Sequence, residues 1–330
     1  MKPGSVPTVA VIVPVMNEEQ TIAPLAQQVL EATAAATTFT LVGIHFVDDG
    51  STDGTWDAIV ATSASDPRVR GIRLRRNFGK ASALQFGVGE TEADIIITMD
   101  GDLQDDPREL PRFVAALQQG ADVISGWKKT RHDPLGKTMP SKLFNSITAW
   151  ASGIPLHDFN CGFKAYRREV FDTVHLYGEL HRFVPVLAHA DGFRVDEIEV
   201  THHPRRFGQS KYGERRFLRG LLDLFTVLTL TRYARKPGHL FGAGGLLLGA
   251  AGTGILGWLS VLWLRGHPIG DRPLLLLGLL LVLVGVQMLM FGLLAELMIS
   301  RDRDPPSRAL VVARTHAASE PDARGGRADG

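Results

Sequence analysis

Two carboxylates and a carboxamide, Asp100, Asp102 and Gln104, lie within five residues and directly follow the apolar run 94–99. Such a run predicts a buried strand, so the three side chains are expected to project from its end. Mg2+ and Mn2+ take oxygen ligands and usually combine one or two carboxylates with the phosphates of a substrate. The cluster therefore indicates a divalent-metal site for a nucleotide diphosphate. An ordinary acidic turn is the alternative, because Asp-Gly is a common turn dipeptide.

Short apolar runs alternate with amphipathic segments before and after this cluster, and they predict the elements that position it. This alternation is typical of a mostly parallel, doubly wound α/β sheet, which binds ligands at the carboxyl ends of its strands. Two other runs end in polar clusters. One is at 14–18, which includes Pro14 and Glu18, and the other is at 48–53, which begins with Asp48 and Asp49. Three polar strand ends are therefore expected on one edge. The predicted strands, each buried on both faces, are 8–15, 40–47, 69–74, 94–99 and 121–125.

Composition limits the class of protein. The chain has 330 residues, of which 45% are hydrophobic, and a formal charge of +1. This length suits about two domains, one of them in a membrane, and the near-neutral charge argues against a nucleic-acid partner. The single cysteine, Cys161, excludes an internal disulfide and fits a reducing compartment. Residues 1–8 lack the features of a secretory signal, so the first half is expected in the cytosol.

Two long uncharged segments predict a membrane hairpin. Residues 240–264 and 273–295 run for 25 and 23 residues without a charge, and a helix of about 20 residues spans a bilayer. We expect transmembrane helices at about 240–264 and 273–297, joined by a short connector. Arginines and lysines on both outer flanks predict that both termini are cytoplasmic at the cell (inner) membrane, although two connector arginines weaken the asymmetry. A buried helical hairpin of a soluble protein is the alternative.

The remaining boundaries follow from composition. Residues 1–213 are expected to form the cytoplasmic globular domain. Residues 214–237 mix arginines with apolar residues, which predicts either interfacial helices on the membrane or a helix packed against the globular domain. Residues 301–330 are rich in Pro, Ala, Arg, Asp and Gly without apolar periodicity, so we expect a disordered tail.

Six motifs follow one another along the chain, at 14–18, 47–53, 76–80, 100–104, 158–164 and 205–212. Together they resemble a family 2 glycosyltransferase of the Rossmann-like GT-A fold. The last two narrow the resemblance to polyprenyl-phosphate glycosyltransferases of the dolichol-phosphate mannosyltransferase type, and the likeness extends from residue 8 to about residue 300. Lys164 stands where many relatives carry arginine, which bears on the substrate contacts.

The resemblance implies inverting transfer of one sugar from a UDP- or GDP-hexose to undecaprenyl or dolichyl phosphate, with Mg2+ or Mn2+, for cell-envelope glycan or glycoconjugate synthesis. Such a lipid acceptor requires an enzyme anchored at the bilayer, which the two spans supply. A phosphate monoester is already ionised near neutral pH, so the attacking oxygen needs little deprotonation.

The resemblance also implies roles for particular residues. Asp158 is expected to orient or assist the attacking phosphate, beside Asp100 and Asp102 as the other catalytic residues. The expected metal ligands are Asp102, Gln104 and Asp100. The expected nucleotide-sugar contacts are Pro14, Glu18, Asp48, Asp49, Lys80 and Asp100. The expected phosphate and acceptor contacts are Lys128, Arg131, Lys142, Arg205, Arg206 and Lys211. Helix capping is the alternative for the acidic cluster at 48–53, and a solvated charge run is the alternative for the basic segment.

Three other functions compete with this interpretation. A processive polysaccharide synthase would resemble its family in a Gln-x-x-Arg-Trp motif and in several further helices, which this sequence lacks. A noncatalytic nucleotide-sugar-binding membrane scaffold would not need the intact acidic clusters. A nucleotidyltransferase would want a glycine-rich basic loop near residue 1. The sugar and its nucleotide stay open, and the glycine-rich first span permits a homo-oligomer.

Overall fold

The computed structural model describes residues 6–129, 145–150, 152–174, 176, 178, 180–204, 237–270 and 272–301. Within these residues one mixed sheet forms the globular domain. Its strands are β1 Thr8–Val15, β2 Thr40–Asp48, β3 Val69–Arg73, β4 Ile95–Thr98, β5 Val123–Trp127, β6 Lys164–Arg167 and β7 Val195–Glu199.

The strands are ordered β3-β2-β1-β4-β6-β5-β7. Strands β1 to β4 pair in parallel, β6 is antiparallel to both β4 and β5, and β7 is parallel to β5. The mostly parallel α/β sheet and the five predicted strands are confirmed, with ends displaced by one or two residues. The pattern missed β6 and β7, because these short strands are rich in polar residues and carry no apolar run.

Helices cover both faces of the sheet. They are α1 Ile22–Ala34, α2 Thr55–Ser65, α3 Lys80–Gly89, α4 Leu110–Gln118 and α5 Val184–Ala190, with 3-10 turns at Pro107–Glu109, Arg168–Asp172 and Leu180–Arg182. The buried side of α4 recurs at positions 110, 113, 114 and 117, the spacing of one helix face. Successive residues of a strand point to opposite faces, so Val11 and Val13 enter one core cluster and Ile12 enters the other.

Two further helices, α6 Pro237–Leu264 and α7 Pro273–Arg301, pack against each other. A Cβ atom at Gly245 would lie 2.7 Å from the Gly285 carbonyl oxygen, and one at Gly252 would lie 2.7 Å from that of Gly278. These glycines therefore permit a close helix crossing. Over Phe241–Leu264 and Pro273–Met298 the helices are long and apolar enough to cross a membrane, and their most apolar windows are only 17% and 11% buried. That exposure is not typical of core helices in soluble proteins.

Two predicted segments have no structural account here. Almost all of the amphipathic segment 214–237 and of the tail 301–330 lies outside the described residues, which include only Pro237 and Arg301 at its edges.

Candidate functional site

Three polar strand ends meet at one edge of the sheet, as the sequence predicts. In the parallel pairing Val15 lies beside Asp48, and Ile12 lies beside Thr98. The carboxyl ends of β2, β1 and β4 are therefore neighbours. The edge is also the topological switch point, because β2 and β4 flank β1 on opposite sides.

The loop that follows β1 is held against the start of α2. Asn17 adopts a left-handed conformation with φ of 53°, and its N–H donates to Ser51 Oγ at 2.9 Å. The Glu18 N–H donates to Thr55 Oγ1 at 2.8 Å. These bonds fix the backbone around the half-buried side chains of Pro14 and Glu18, two of the predicted nucleotide contacts.

Asp48 and Asp53 make different contacts within the acidic cluster, for which nucleoside binding and helix capping were the two interpretations. Asp48 is fully buried, accepts from the Ser51 N–H at 2.8 Å and places Oδ2 3.5 Å from Arg73 Nε. Asp53 accepts from the Thr55 N–H at 3.0 Å, at the start of α2. Burial acts to raise the pKa of Asp53, but its hydrogen bonds from Thr55 bring the pKa below the ordinary value. Asp53 therefore stabilises the start of α2 from the position before the N-cap residue, Gly54.

Asp49 holds a neighbouring loop in place. Its two carboxylate oxygens accept from the backbone N–H groups of Phe78 and Gly79 at 2.7 and 2.9 Å. Gly50 has φ of 76°, and a Cβ there would lie 2.6 Å from the Arg76 carbonyl carbon. Only glycine fits this approach. The predicted nucleoside contact at Asp49 therefore also positions the beginning of α3.

Asp100 lies between α3 and the segment that leads into β6. Lys80, the first residue of α3, forms an ion pair with the Asp100 carboxylate, which is one-third exposed. A Cβ at Gly162 would lie only 2.5 Å from Asp100 Oδ1, so a side chain there would displace the carboxylate. Burial acts to raise the pKa of Asp100, but the ammonium groups of Lys80 and Lys128 together outweigh it, and the pKa falls below the ordinary value. The carboxylate is therefore ionised at neutral pH.

Asp102 and Gln104 are separated by a residue in the left-handed conformation, Leu103, with φ of 60°. The Gln104 amide Nε2 donates to the His203 carbonyl oxygen at 3.3 Å, and the His203 N–H donates to the Gln104 carbonyl oxygen at 2.7 Å. These bonds anchor Gln104 to the chain beyond β7.

The oxygen donors in this loop fit a divalent cation that completes its coordination with substrate phosphates. Asp100, Asp102 and Gln104 offer carboxylate and carboxamide oxygens from one strand end. Among the described residues, no group of three His, Cys, Asp or Glu side chains could enclose a metal ion.

Asp105 is a site residue that the sequence reasoning missed. Its carboxylate is fully buried, 2.7 Å from Lys128 Nζ and 3.6 Å from His202 Nδ1. Burial acts to raise the pKa of Asp105, yet the contacts with Lys128 and His202 together bring it well below the ordinary value. Burial likewise opposes the charge of Lys128, and Asp105 raises its pKa. Lys128, predicted to bind the acceptor, thus lies against an internal carboxylate beneath the loop.

Of the other predicted catalytic and phosphate-binding residues, the structure describes only Asp158. Asp158 is 1% exposed and accepts from the Asn160 N–H at 3.0 Å, while its carbonyl accepts from Ser125 Oγ at 3.3 Å. The structure therefore places Asp158 beside the middle of β5 as a buried group. The remaining predicted contacts lie outside the described residues: Arg131, Lys142, Arg205, Arg206 and Lys211.

The sequence profile of Glycosyl transferase family 2 matches residues 10–174. The chain is 40% identical over 311 residues to the dodecaprenyl-phosphate galacturonate synthase of Rhizobium johnstonii, covering 92% of this chain and 91% of that protein. The chain belongs to glycosyl transferase family 2. It is also 35% identical over 292 residues to the undecaprenyl-phosphate 4-deoxy-4-formamido-L-arabinose transferase of Aeromonas hydrophila subsp. hydrophila, covering 87% of each.

A solved structure supports the fold of this glycosyltransferase. Glucosyl-3-phosphoglycerate synthase from Mycobacterium tuberculosis, in complex with Mn2+, UDP-glucose and phosphoglyceric acid, superposes with a TM-score of 0.51 at 18% identity. The match covers 67% of this chain and 80% of that one. The GT-A-like fold and the resemblance to polyprenyl-phosphate glycosyltransferases are confirmed.

Proposed function

We propose that this family 2 glycosyltransferase moves a single sugar from a nucleotide diphosphate to polyprenyl phosphate, with inversion at the anomeric carbon. The observation that carries the proposal is the meeting of three parallel strand ends, which places Asp48, Asp100 and Asp102 on one edge. The relatives named for transfer to dodecaprenyl and undecaprenyl phosphate match far more than the globular domain, since one of them covers 92% of the chain.

The donor occupies the edge from β2 to β4. Pro14, Glu18 and Asp48 line its nucleoside end, where carboxylates accept from ribose hydroxyls and base N–H groups. Asp102 and Gln104, with Asp100 beside them, would hold Mg2+ or Mn2+ together with the diphosphate. A divalent ion bound there neutralises charge that develops on the departing nucleoside diphosphate.

The acceptor supplies its own nucleophile. An oxygen of the ionised lipid phosphate forms the new bond to the anomeric carbon as the bond to the donor diphosphate breaks. Asp158, buried in the turn before β6, orients this side of the site by holding the Asn160 backbone. Charge-assisted hydrogen bonds to the phosphates are assigned, by resemblance to the family, to six basic residues. Lys128 is one of them, and its ammonium group is also paired with Asp105. The other five lie outside the described structure: Arg131, Lys142, Arg205, Arg206 and Lys211.

The two apolar helices anchor the enzyme in the inner membrane, with the catalytic domain and both termini in the cytoplasm and residues 265–272 on the far side. A cysteine introduced at Pro268 should react with an impermeant reagent outside intact cells, and one at Glu320 should not. Cys161 is only 2% exposed, so the native thiol gives little background. The reverse labelling pattern would overturn this topology.

The relatives do not decide the sugar or the assembly. One is named for galacturonate, which is anionic, and the other for a formamido-arabinose. A Cβ at Gly254 or Gly257 of α6 would meet nothing within 4 Å, so a homo-oligomer with close packing at this helix would be permitted.

Purified enzyme in detergent, supplied with polyprenyl phosphate, a panel of UDP- and GDP-sugars and Mn2+ or Mg2+, tests the reaction. One sugar per lipid is the expected product. Excess EDTA or Asp102→Asn should abolish transfer without lowering the melting temperature, while Asp57→Asn, at an exposed position on α2, should be active. A polymeric product would favour a processive synthase, donor binding without turnover would favour a scaffold, and full activity in EDTA would exclude the metal role.

A further inference from the structure

A small pocket lies between α3, β4, β6 and the 3-10 turn Leu180–Arg182. Its lining includes four basic side chains, from Lys80, Lys164, His181 and Arg182. None of the described residues that line it is acidic. Lys80 is paired with Asp100 and His181 is neutral, so the charge that favours an anionic occupant comes from Lys164 and Arg182.

The pocket shares a wall with the donor site. Lys80 forms an ion pair with Asp100, Gly162 lies directly against the Asp100 carboxylate, and both residues line the pocket. Gln104 points elsewhere, to the carbonyl of His203 beyond β7. A diphosphate held at Gln104 therefore leaves the pocket beside Asp100 to the sugar.

Lys164 provides the strongest local evidence. It is 2% exposed, and its ammonium group donates to the carbonyl oxygens of Phe159, at 3.2 Å, and Cys161. These bonds use two of its three hydrogens, and no described carboxylate forms an ion pair with it. Burial lowers the pKa of Lys164 to about 8. A buried cation without a counter-ion is costly, and an anionic ligand would remove that cost.

His181 adds a second group without a partner. Its Nδ1 atom is buried and forms no hydrogen bond among the described residues. Burial, followed by the nearby charges of Lys80 and Arg182, lowers the pKa of His181 well below its ordinary value. A neutral imidazole can still donate one N–H to an anion.

We propose that this pocket binds a carboxylate on the transferred sugar, so that the donor is a nucleotide diphosphate-linked uronic acid. The inference rests on the proposed function and narrows its substrate class. The carboxylate would accept a charge-assisted hydrogen bond from Lys164 and pair with the surrounding basic groups. A neutral hydroxymethyl group in its place would leave Lys164 without a counter-ion.

Matched donors test the proposal. The wild-type enzyme should show a higher kcat/KM with a uronate than with the hexose of the same configuration, measured for UDP-galacturonate against UDP-galactose, UDP-glucuronate against UDP-glucose and GDP-mannuronate against GDP-mannose. A neutral hexose used as well as or better than its uronate in every pair would overturn the proposal.

Variants locate the preference in the pocket. Lys164→Met and Arg182→Gln should each lower kcat/KM for the uronate by about ten- to a hundredfold and change that for the hexose little. Arg182 is half-buried on a short turn, so its variant tests the pocket even if loss of Lys164 impairs folding. Lys164→Arg should keep the preference. Arg68→Gln, at an exposed ion pair at the amino end of β3, is the matched control and should behave as wild type.

Binding measurements separate this proposal from the proposed function. Calorimetric titration of each donor without acceptor measures donor binding alone, and the difference between a uronate and its matched hexose reports the pocket. Uronate binding that depends on Lys164, without transfer to polyprenyl phosphate, would support the uronate pocket and contradict the proposed acceptor. Transfer of neutral sugars alone would support the proposed acceptor and contradict the uronate pocket. Equal losses for both donors and for UDP or GDP itself would show that the pocket holds the diphosphate, against the proposal.

Discussion

Replacing Gly162 by alanine is expected to displace the Asp100 carboxylate. A Cβ at Gly162 would lie 2.5 Å from Asp100 Oδ1 and 2.7 Å from both Cγ and Oδ2. Favourable contacts between such atoms begin at about 3.5 Å, so the carboxylate must move by about 1 Å. The movement separates it from the ammonium group of Lys80.

The effect on transfer should exceed the effect on folding. The Asp100 side chain is 33% exposed and can swing toward solvent, so overpacking should cost no more than about 1–3 kcal/mol of stability. Misplacing a catalytic group by about 1 Å can lower the rate about a hundredfold. A hundredfold loss of kcat/KM corresponds to about 2.7 kcal/mol of transition-state stabilisation.

The assay is sugar transfer to polyprenyl phosphate in detergent, with a melting curve for each variant. Gly89→Ala is the matched control, because a Cβ at the end of α3 meets nothing within 4 Å. Gly126→Ala provides the contrasting case: its Cβ would lie 2.9 Å from the Phe163 carbonyl oxygen, inside the sheet, and should lower stability. A folded Gly162→Ala enzyme with normal kcat/KM would refute the role given to Asp100.

Three further predictions concern buried ionisable groups. Asp105→Asn leaves the Lys128 ammonium buried without its carboxylate and should destabilise the fold by about 3–5 kcal/mol in denaturation experiments, whereas an unchanged midpoint would contradict the ion pair. Burial, followed by the charge of Arg70, lowers the pKa of His45 to about 4. As pH falls, the unfolded chain therefore binds this proton before the folded chain does. The free energy of unfolding should fall as pH drops from about 6.5 toward 4, by at most about 1.4 kcal/mol per pH unit. If a His45→Gln variant showed the same dependence of unfolding free energy on pH, His45 would be excluded as its cause. Lys164 in the free enzyme should lose its proton above about pH 8, so kcat/KM for a uronate should decline through that pH. The decline should move to higher pH in the Lys164→Arg variant. The same decline with hexose donors would point to another group.

Part of the site could be predicted because its signals are local. The runs 8–15, 40–47 and 94–99 are apolar throughout, which marks buried parallel strands, and each ends in polar residues. Parallel strands place those ends on one edge whatever the details of packing. The two long apolar helices were equally predictable, because length and lack of charge are properties of the sequence alone. The structure and the relatives confirm the fold and the family.

The strand β6 was decided only by the tertiary structure. Its four residues, Lys164–Arg167, include two cations and have no periodic apolar signal. These residues pair with β4 and β5, which lie far from them in the sequence, so local signals do not predict the pairing. The pairing brings Gly162 against Asp100 and places Lys164 in the pocket.

The partners of the buried charges were likewise decided only by folding. The sequence predicts that Asp49, Asp105 and Lys128 are charged. It does not predict that Asp49 accepts from the 78–79 backbone or that Asp105 meets Lys128. Which opposite charge or N–H group lies within hydrogen-bonding distance depends on strand order and register, and these follow from long-range packing rather than from neighbours along the chain.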